Sequence, residues 1–213
     1  MGKDIKNITN TMVCFTKKNL QVYFQGKTNT FNAQIKHAIK NGNILKLKNG
    51  LYISKEFYDK EPNKTGLAEY IAYQLKNPSY LSLEYVMQKY NLLTEGVYLI
   101  TSITKKTRNI YKNLLGTFKY SNIKDELYFG FDKKQFGKNI YYEANKSKAV
   151  FDYLYLKRNI GSKLKEEILE GLRINWINFS KPDFKLFDQY CTRSKSKKMI
   201  RIANILKNNI YKL

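Results

Sequence analysis

Apolar positions along the first fifty residues switch from helical to strand spacing. Ile5, Ile8 and Met12 recur at i, i+3 and i+7 and predict a first helix. Thr16 is a good N-cap for a second helix, Lys17 to Gln25, with Leu20, Tyr23 and Phe24 facing inward. Gly26 then supplies the positive φ expected to end it. A third helix is expected from Asn29 to Asn41, where Phe31, Ile35, Ala38 and Ile39 share one arc at about 100° per residue. Gly42 stops it. Asn43 to Lys48 and Leu51 to Ser54 then predict a hairpin closed by the tight turn Asn49-Gly50.

From Cys14 to Ile53 this order is that of a winged helix-turn-helix. Glu61-Pro62-Asn63-Lys64 is the best domain boundary, because proline bars helix continuation and the stretch is polar. Beyond it Leu67, Ile71 and Leu75 form one stripe of a helix over Thr65 to Lys76. A second helix, Ser82 to Tyr90, follows Asn77-Pro78-Ser79, with Pro78 setting a turn and Leu81, Leu83 and Val86 in the core. Runs rich in β-branched and aromatic residues predict strands at Gly96 to Ser102, Thr107 to Tyr111, Gly116 to Tyr120 and Leu127 to Phe131. Helical spacing returns from Ser147. Ser147 and Ser162 are expected N-caps, and Pro182 with Asp183 opens another helix. The last helix, Lys195 to Asn209, places Met199, Ile202, Ala203, Leu206 and Ile210 on one line, with Lys195, Lys197, Lys198, Arg201 and Lys207 opposite. The expected fold is α+β: a winged helix-turn-helix in residues 1–60, then a mixed α/β domain in 61–213 with a helical tail from about 147.

Charge adds a partner to this picture. The chain carries 39 Lys+Arg against 17 Asp+Glu, a formal net charge of +22, which suits a polyanion. Abundant Lys, Asn, Ile and Tyr also suggest an AT-rich genome, which inflates lysine without accounting for the scarcity of acids. The first 60 residues hold 11 Lys and 3 acids, the remainder 28 basic and 14 acidic residues, so basicity is shared. Cys14 and Cys191 lie far apart, and the start carries no secretory signal, so reduced thiols in a cytoplasmic protein are expected. Apolar runs such as Gly96 to Ile103 are far shorter than a membrane span, and no membrane partner is expected.

On the expected third helix the arc opposite the core holds Asn29, Thr30, Ala33, Lys36, His37 and Lys40. Amides match adenine, lysine matches guanine or phosphate, and alanine packs on a thymine methyl. A recognition helix reads bases with its N-terminal half, so Asn29, Thr30, Asn32 and Ala33 are expected at base edges. Lys36 and Lys40 are expected at phosphates. Lys46, Lys48 and Asn49 form the tip of a basic wing, and Thr16, Lys17 and Thr28 at helix starts complete the expected DNA contacts. His37, the sole histidine, reads as a DNA contact or idle surface. A second basic patch is expected at Lys105, Lys106, Arg108, Lys112 and Lys119, because Lys105 to Lys124 contains no acid. Tyr98, Tyr111, Tyr120 and Tyr128 interleave with it, either to stack on bases or as ordinary sheet core.

Enzymatic signatures are missing. One histidine and two distant cysteines do not make an ordinary zinc site, and there is no P-loop or Gly-x-Gly-x-x-Gly. Asp125, Glu126 and Asp132 sit among lysines near strand ends, and two acids adjacent on a strand would point to opposite faces, so a metal nuclease there is the weakest reading. Glu166, Glu167 and Glu170 read as surface salt-bridge partners. No cofactor, metal or catalysis is expected.

Three further segments carry a resemblance: Pro-Ser-Tyr-Leu-Ser-Leu-Glu (Pro78 to Glu84), Val-Tyr-x-Ile-Thr-Ser (Val97 to Ser102) and Lys-Ala-x-x-Asp (Lys148 to Asp152). Together with the N-terminal unit, over about residues 10–160, the chain resembles the AbiEi-type antitoxins of abortive-infection toxin–antitoxin systems. The resemblance implies a winged domain that represses its own operon at inverted repeats in double-stranded DNA. It also implies a C-terminal domain that neutralises a nucleotidyltransferase-like toxin without requiring a stable complex. The rival reading is a stand-alone basic DNA- or RNA-binding regulator with no toxin partner. Beyond about Arg158 no motif is recognised, and oligomeric state is not legible in the sequence.

Overall fold

The computed structural model describes residues 9–24, 26–157 and 163–211 and is a mixed α+β protein. Thr9 to Thr11 are helical, while Ile5 and Ile8 lie outside the described residues. Helix α1 (Lys17–Gln21) starts at Thr16 in a capping box: the Thr16 hydroxyl accepts from the Asn19 N–H, and the Asn19 side chain accepts from the Thr16 N–H. It ends four residues earlier than expected. Leu20 is buried, but Tyr23 is 55% exposed, and Phe24 instead tilts against Phe31 with ring centroids 5.3 Å apart. Gly26 therefore does not act as the helix stop; a Cβ there would meet the Phe24 ring at 2.7 Å, so the glycine serves a close approach. Helix α2 (Thr28–Lys40) buries Phe31, Ile35 and Ala38 and ends as expected at Gly42. With Gly42 at φ +73°, its N–H reaches the Ile39 carbonyl and the Asn43 N–H reaches Ala38, a Schellman closure.

Strands β1 (Ile44–Lys48) and β2 (Leu51–Ser54) pair antiparallel around Asn49-Gly50. Phe15 bridges the other edge of β2 through two hydrogen bonds with Tyr52, each 2.9 Å. An additional helix, α3 (Lys55–Lys60), follows; its six residues are too few for periodicity to reveal, and two i,i+4 ion pairs support it.

After Glu61-Pro62, α4 (Lys64–Leu75) is capped by Asn63 and buries Leu67, Ile71 and Leu75 as expected. The next elements are β3 (Ser79–Leu81), α5 (Leu83–Lys89), β4 (Leu99–Thr104), β5 (Asn109–Asn113), β6 (Gly116–Asn122), β7 (Phe131–Phe136) and β8 (Asn139–Ala144). They form a mixed sheet in the order β5-β6-β4-β3-β8-β7, parallel at β4/β6 and β3/β8. Several expectations change, since β3, β7 and β8 are not among the expected strands. The segment Leu127 to Phe131 is not a strand but a 3-10 turn at Asp125–Leu127 leading into β7. Strand β7 escaped notice because Asp132, Lys133, Lys134 and Gln135 are all exposed on an edge, leaving no apolar alternation. Helix α4 covers one face, where the Tyr120 hydroxyl donates to the Ala72 carbonyl at 2.5 Å. Helices α5 and α6 (Lys146–Leu156) cover the other.

Helix α6 starts at Asn145 rather than Ser147, whose hydroxyl donates to the Asp183 carbonyl at 2.8 Å; Ser162 lies outside the described residues. A short turn α7 (Leu164–Glu166) precedes α8 (Lys181–Arg193), which opens on a Ser180–Asp183 capping box with Pro182 in its first turn. Helix α9 (Lys197–Leu206) buries Met199, Ile202, Ala203 and Leu206 as the pattern requires. Lys198 departs from its expected free face: its ammonium donates to the carbonyls of Leu154, Tyr155 and Lys157 and caps the C-terminus of α6.

Two apolar clusters share the β1–β2 hairpin. Phe15, Leu20, Phe31, Ile35, Ala38, Ile44 and Tyr52 form the smaller one. Leu47, Leu51 and Ile53 belong to the larger one, with α4 and the sheet. The chain breaks at Glu61-Pro62, but the packing does not.

Within the larger core Lys148 and Asp152 are fully buried, with Nζ to Oδ1 at 2.6 Å. Lys148 also donates to the Leu127 carbonyl, and Asp152 Oδ2 accepts from Tyr80 Oη at 2.9 Å and Ser82 Oγ at 2.8 Å. Burial pushes the Asp152 carboxyl up and the Lys148 amine down, and each partner offsets part of the other's shift. Thr101 Oγ1 donates to the Ser82 carbonyl and accepts the Tyr85 N–H. Residues from the segments Pro78 to Glu84, Val97 to Ser102 and Lys148 to Asp152 thus meet at one buried junction.

A second polar cluster lies under α4. Burial raises the Glu69 carboxyl, but hydrogen bonds from Tyr141, Lys89 and Tyr85 outweigh it and hold its pKa below the usual value. Lys89 also pairs with the buried Glu143.

Asp152→Ala leaves the Lys148 ammonium buried without a counter-charge and is expected to cost about 3–5 kcal/mol in urea unfolding. The double change Lys148→Met, Asp152→Leu should restore most of it; equal losses would show that volume rather than charge matters. Because the folded Glu69 pKa lies below the unfolded value near 4.5, its contribution is complete above that pH. It should fade as pH falls through the folded pKa, and Glu69→Gln should flatten this part of a stability-against-pH curve.

Candidate nucleic-acid interface

Between Asp4 and Glu56 the chain contains no acidic residue, and α2 lies in the middle of that stretch. Burying Phe31, Ile35 and Ala38 fixes the helix's rotation and turns Asn29, Thr30, Asn32, Ala33, Lys36, His37 and Lys40 to solvent. The helix is roughly 20 Å long at 1.5 Å per residue. Its N-terminus begins at Lys27 with no side-chain cap, so the first backbone N–H groups face outward with the positive end of the helix dipole. Lys36 and Lys40, one turn apart, repel each other slightly, a cost that an anion relieves. Asn41 Nδ2 donates a 2.9 Å hydrogen bond to His37 Nε2 at the far end of the helix.

The other expected contacts are placed unevenly. Thr16 and its partner Asn19 are occupied with capping α1, and Lys17 beside them is exposed. Thr28 accepts from Gln21 Nε2 at 3.4 Å, tying the start of α2 to α1. Lys46 and Asn49 are exposed at the hairpin. Lys48 is turned inward: its ammonium donates to the Leu75 carbonyl at the end of α4 at 2.7 Å and sits 5.8 Å from the Tyr111 ring centroid. Asn113 Nδ2 adds a bond to the Leu47 carbonyl, so the hairpin is fastened to the sheet edge. Lys27 and Lys18, which were not among the expected contacts, are also exposed beside the α1–α2 turn, within the same acid-free stretch.

In the second patch Lys105, Lys106, Arg108, Lys112 and Lys119 are all exposed, with Lys105 4.0 Å from Asp125 and over the Tyr128 ring. Three of the four interleaved tyrosines are not free to stack. Tyr120 is buried, Tyr111 packs edge-on against it, and Tyr128 packs against Tyr80 and Phe131; Tyr98 alone is 93% exposed.

Cys14 and Cys191 are free thiols, and burial pushes Cys14 up to about 12 and Cys191 well above its usual value, so neither is an activated nucleophile. Among the described residues no three His, Cys, Asp or Glu side chains gather to hold a metal. Asp125 and Glu126 are exposed on their 3-10 turn. No helix among the described residues is long and apolar enough to cross a membrane.

Comparison with protein-family models and with curated proteins gives no match.

Lys48→Ala removes a charged hydrogen bond and is expected to lower stability by about 1.5–3 kcal/mol, whereas the exposed Lys46→Ala should stay within about 0.5 kcal/mol. Equal stabilities by chemical denaturation would mean that Lys48 does not brace the hairpin.

Proposed function

We propose that the protein is a sequence-specific DNA-binding repressor whose first 60 residues act as a winged helix-turn-helix, with α2 as the recognition helix. The observation that carries this is the solvent-facing arc of α2, which holds amides, a hydroxyl, an alanine and two lysines within an acid-free stretch. Asn29, Thr30, Asn32 and Ala33 sit in the N-terminal half, the part of such a helix that reaches base edges in the major groove. Lys36 and Lys40 take phosphates, and Lys46 and Asn49 take the backbone or minor groove as a wing. Lys48 braces that wing from behind.

The resemblance to AbiEi-type antitoxins extends this reading. The protein represses its own operon at operator repeats and neutralises a nucleotidyltransferase-like toxin in phage defence, in the cytoplasm and without catalysis. A stand-alone regulator would lack only the toxin. Co-expression with a neighbouring nucleotidyltransferase-like reading frame separates the two: rescue of growth supports the antitoxin role, and persistent toxicity removes it.

For DNA binding, Lys36→Ala with Lys40→Ala is expected to weaken binding to every sequence and to reduce the salt slope by about 2. Asn32→Ala should instead relax discrimination at one base pair by about 1–3 kcal/mol. Wild-type binding of the triple variant to upstream DNA, measured by mobility shift, would overturn the assignment of α2.

A further inference from the structure

The helical layer that covers one side of the sheet stops short of its outer strands. On that side Thr101 and Ile103 of β4 are buried, but the residues that continue the surface outward are not. Lys119 on β6 pairs with Thr101 and with Ile110 on β5, and Lys112 pairs with Thr117, so these side chains share one face. Lys112 and Lys119 are exposed, Ile110 is 56% exposed, and Leu99 at the start of β4 is 39% exposed. The same face runs into an open cleft of about 760 Å³ lined by Lys105, Thr107, Arg108, Ser121, Asn122 and Leu156.

The cleft is built rather than incidental. Asn122 Nδ2 donates to the carbonyls of Lys105 at 3.0 Å and Lys106 at 3.1 Å, fixing the loop that carries the cations. Among the described residues Lys106, Arg108, Lys112 and Lys119 have no carboxylate partner; Lys105 alone has one, at 4.0 Å. The C-terminus of α6 borders the cleft at Leu156, and its negative dipole end would repel an anion. The Lys198 ammonium, bound to three of its terminal carbonyls, offsets that charge.

We infer that this open sheet face and its cleft bind single-stranded nucleic acid, a site separate from α2. Cations alone would suit a duplex equally well. What distinguishes the surface is Ile110 and Leu99 set among them. A duplex presents sugar and phosphate outward and offers these side chains nothing, whereas a single strand exposes base faces that pack on them while its phosphates meet Arg108, Lys112 and Lys119. Along β5 the apolar Ile110 and the cationic Lys112 lie about 7 Å apart, two residues on one face, and Arg108 sits in the loop immediately before the strand.

The test uses the full chain and fluorescence anisotropy with labelled mixed-sequence RNA and DNA single strands of about 12 nucleotides, and the matching duplex. Wild-type protein is expected to bind the single strands, with the RNA and DNA arms showing which sugar is preferred. The surface variant Arg108→Ala, Lys112→Ala, Lys119→Ala should lose about tenfold or more in single-strand affinity and about 2 units of salt slope. Ile110→Ser should weaken single-strand binding several-fold with the slope unchanged, and both variants should leave upstream-duplex binding intact. In the Lys36→Ala, Lys40→Ala variant single-strand binding should persist, which separates this site from α2. No single-strand binding by wild-type protein would overturn the inference. So would full affinity in the triple variant, or an Ile110→Ser variant that binds single strands like wild type.

Discussion

The buried pair Lys148–Asp152 is the constraint around which the larger unit is arranged. Asp152 lies on α6, its partners are Tyr80 in β3 and Ser82 at the start of α5, and Lys148 reaches the Leu127 carbonyl before β7. Three segments distant in sequence (Tyr80–Ser82, Leu127 and α6) are thus fixed by one carboxylate and one ammonium in a medium where neither tolerates being unpaired. The segments Pro78 to Glu84, Val97 to Ser102 and Lys148 to Asp152 converge here, so together they mark a folding junction.

The second constraint is the shared hairpin. One side of β1–β2 closes the small cluster under α2, and the other contributes Leu47, Leu51 and Ile53 to the large core. Lys48 and Asn113 fasten it further. A hairpin that stands free on a linker can move independently; this one cannot move without disturbing α4 and β5. The orientation of α2 is therefore set by the sheet unit, with which it forms one continuous scaffold.

Much of the helical framework was legible in the chain because capping and periodicity are local. Thr16, Gly42, Asn49-Gly50, Pro182 and the Met199–Leu206 line each specify their element through neighbours a few residues away. Strand β7 was hidden because its exposed edge residues carry no alternation, and β3 because three residues are too few to show any. Ser147 and Asn145 are both competent caps, and the choice was made by the Asp183 carbonyl 36 residues away. The lysines misled for a related reason. Lys48 and Lys198 look like solvated charges in sequence, but their long stems deliver the ammonium to helix ends that only the tertiary fold brings near. Of the candidate site, the exposed arc of α2 followed directly from where its apolar residues fell. The open sheet face did not, because it depends on where the helical layer ends.

The central claim is that α2 reads DNA in the major groove. Methylation-protection footprinting of the full-length protein on the DNA upstream of its own reading frame tests it most directly, since guanine N7 lies in that groove. The account predicts protected guanines in short repeated half-sites, with the protection lost in the Lys36→Ala, Lys40→Ala, Asn32→Ala variant. Uniform, sequence-independent protection, or protection that survives in that variant, would contradict it.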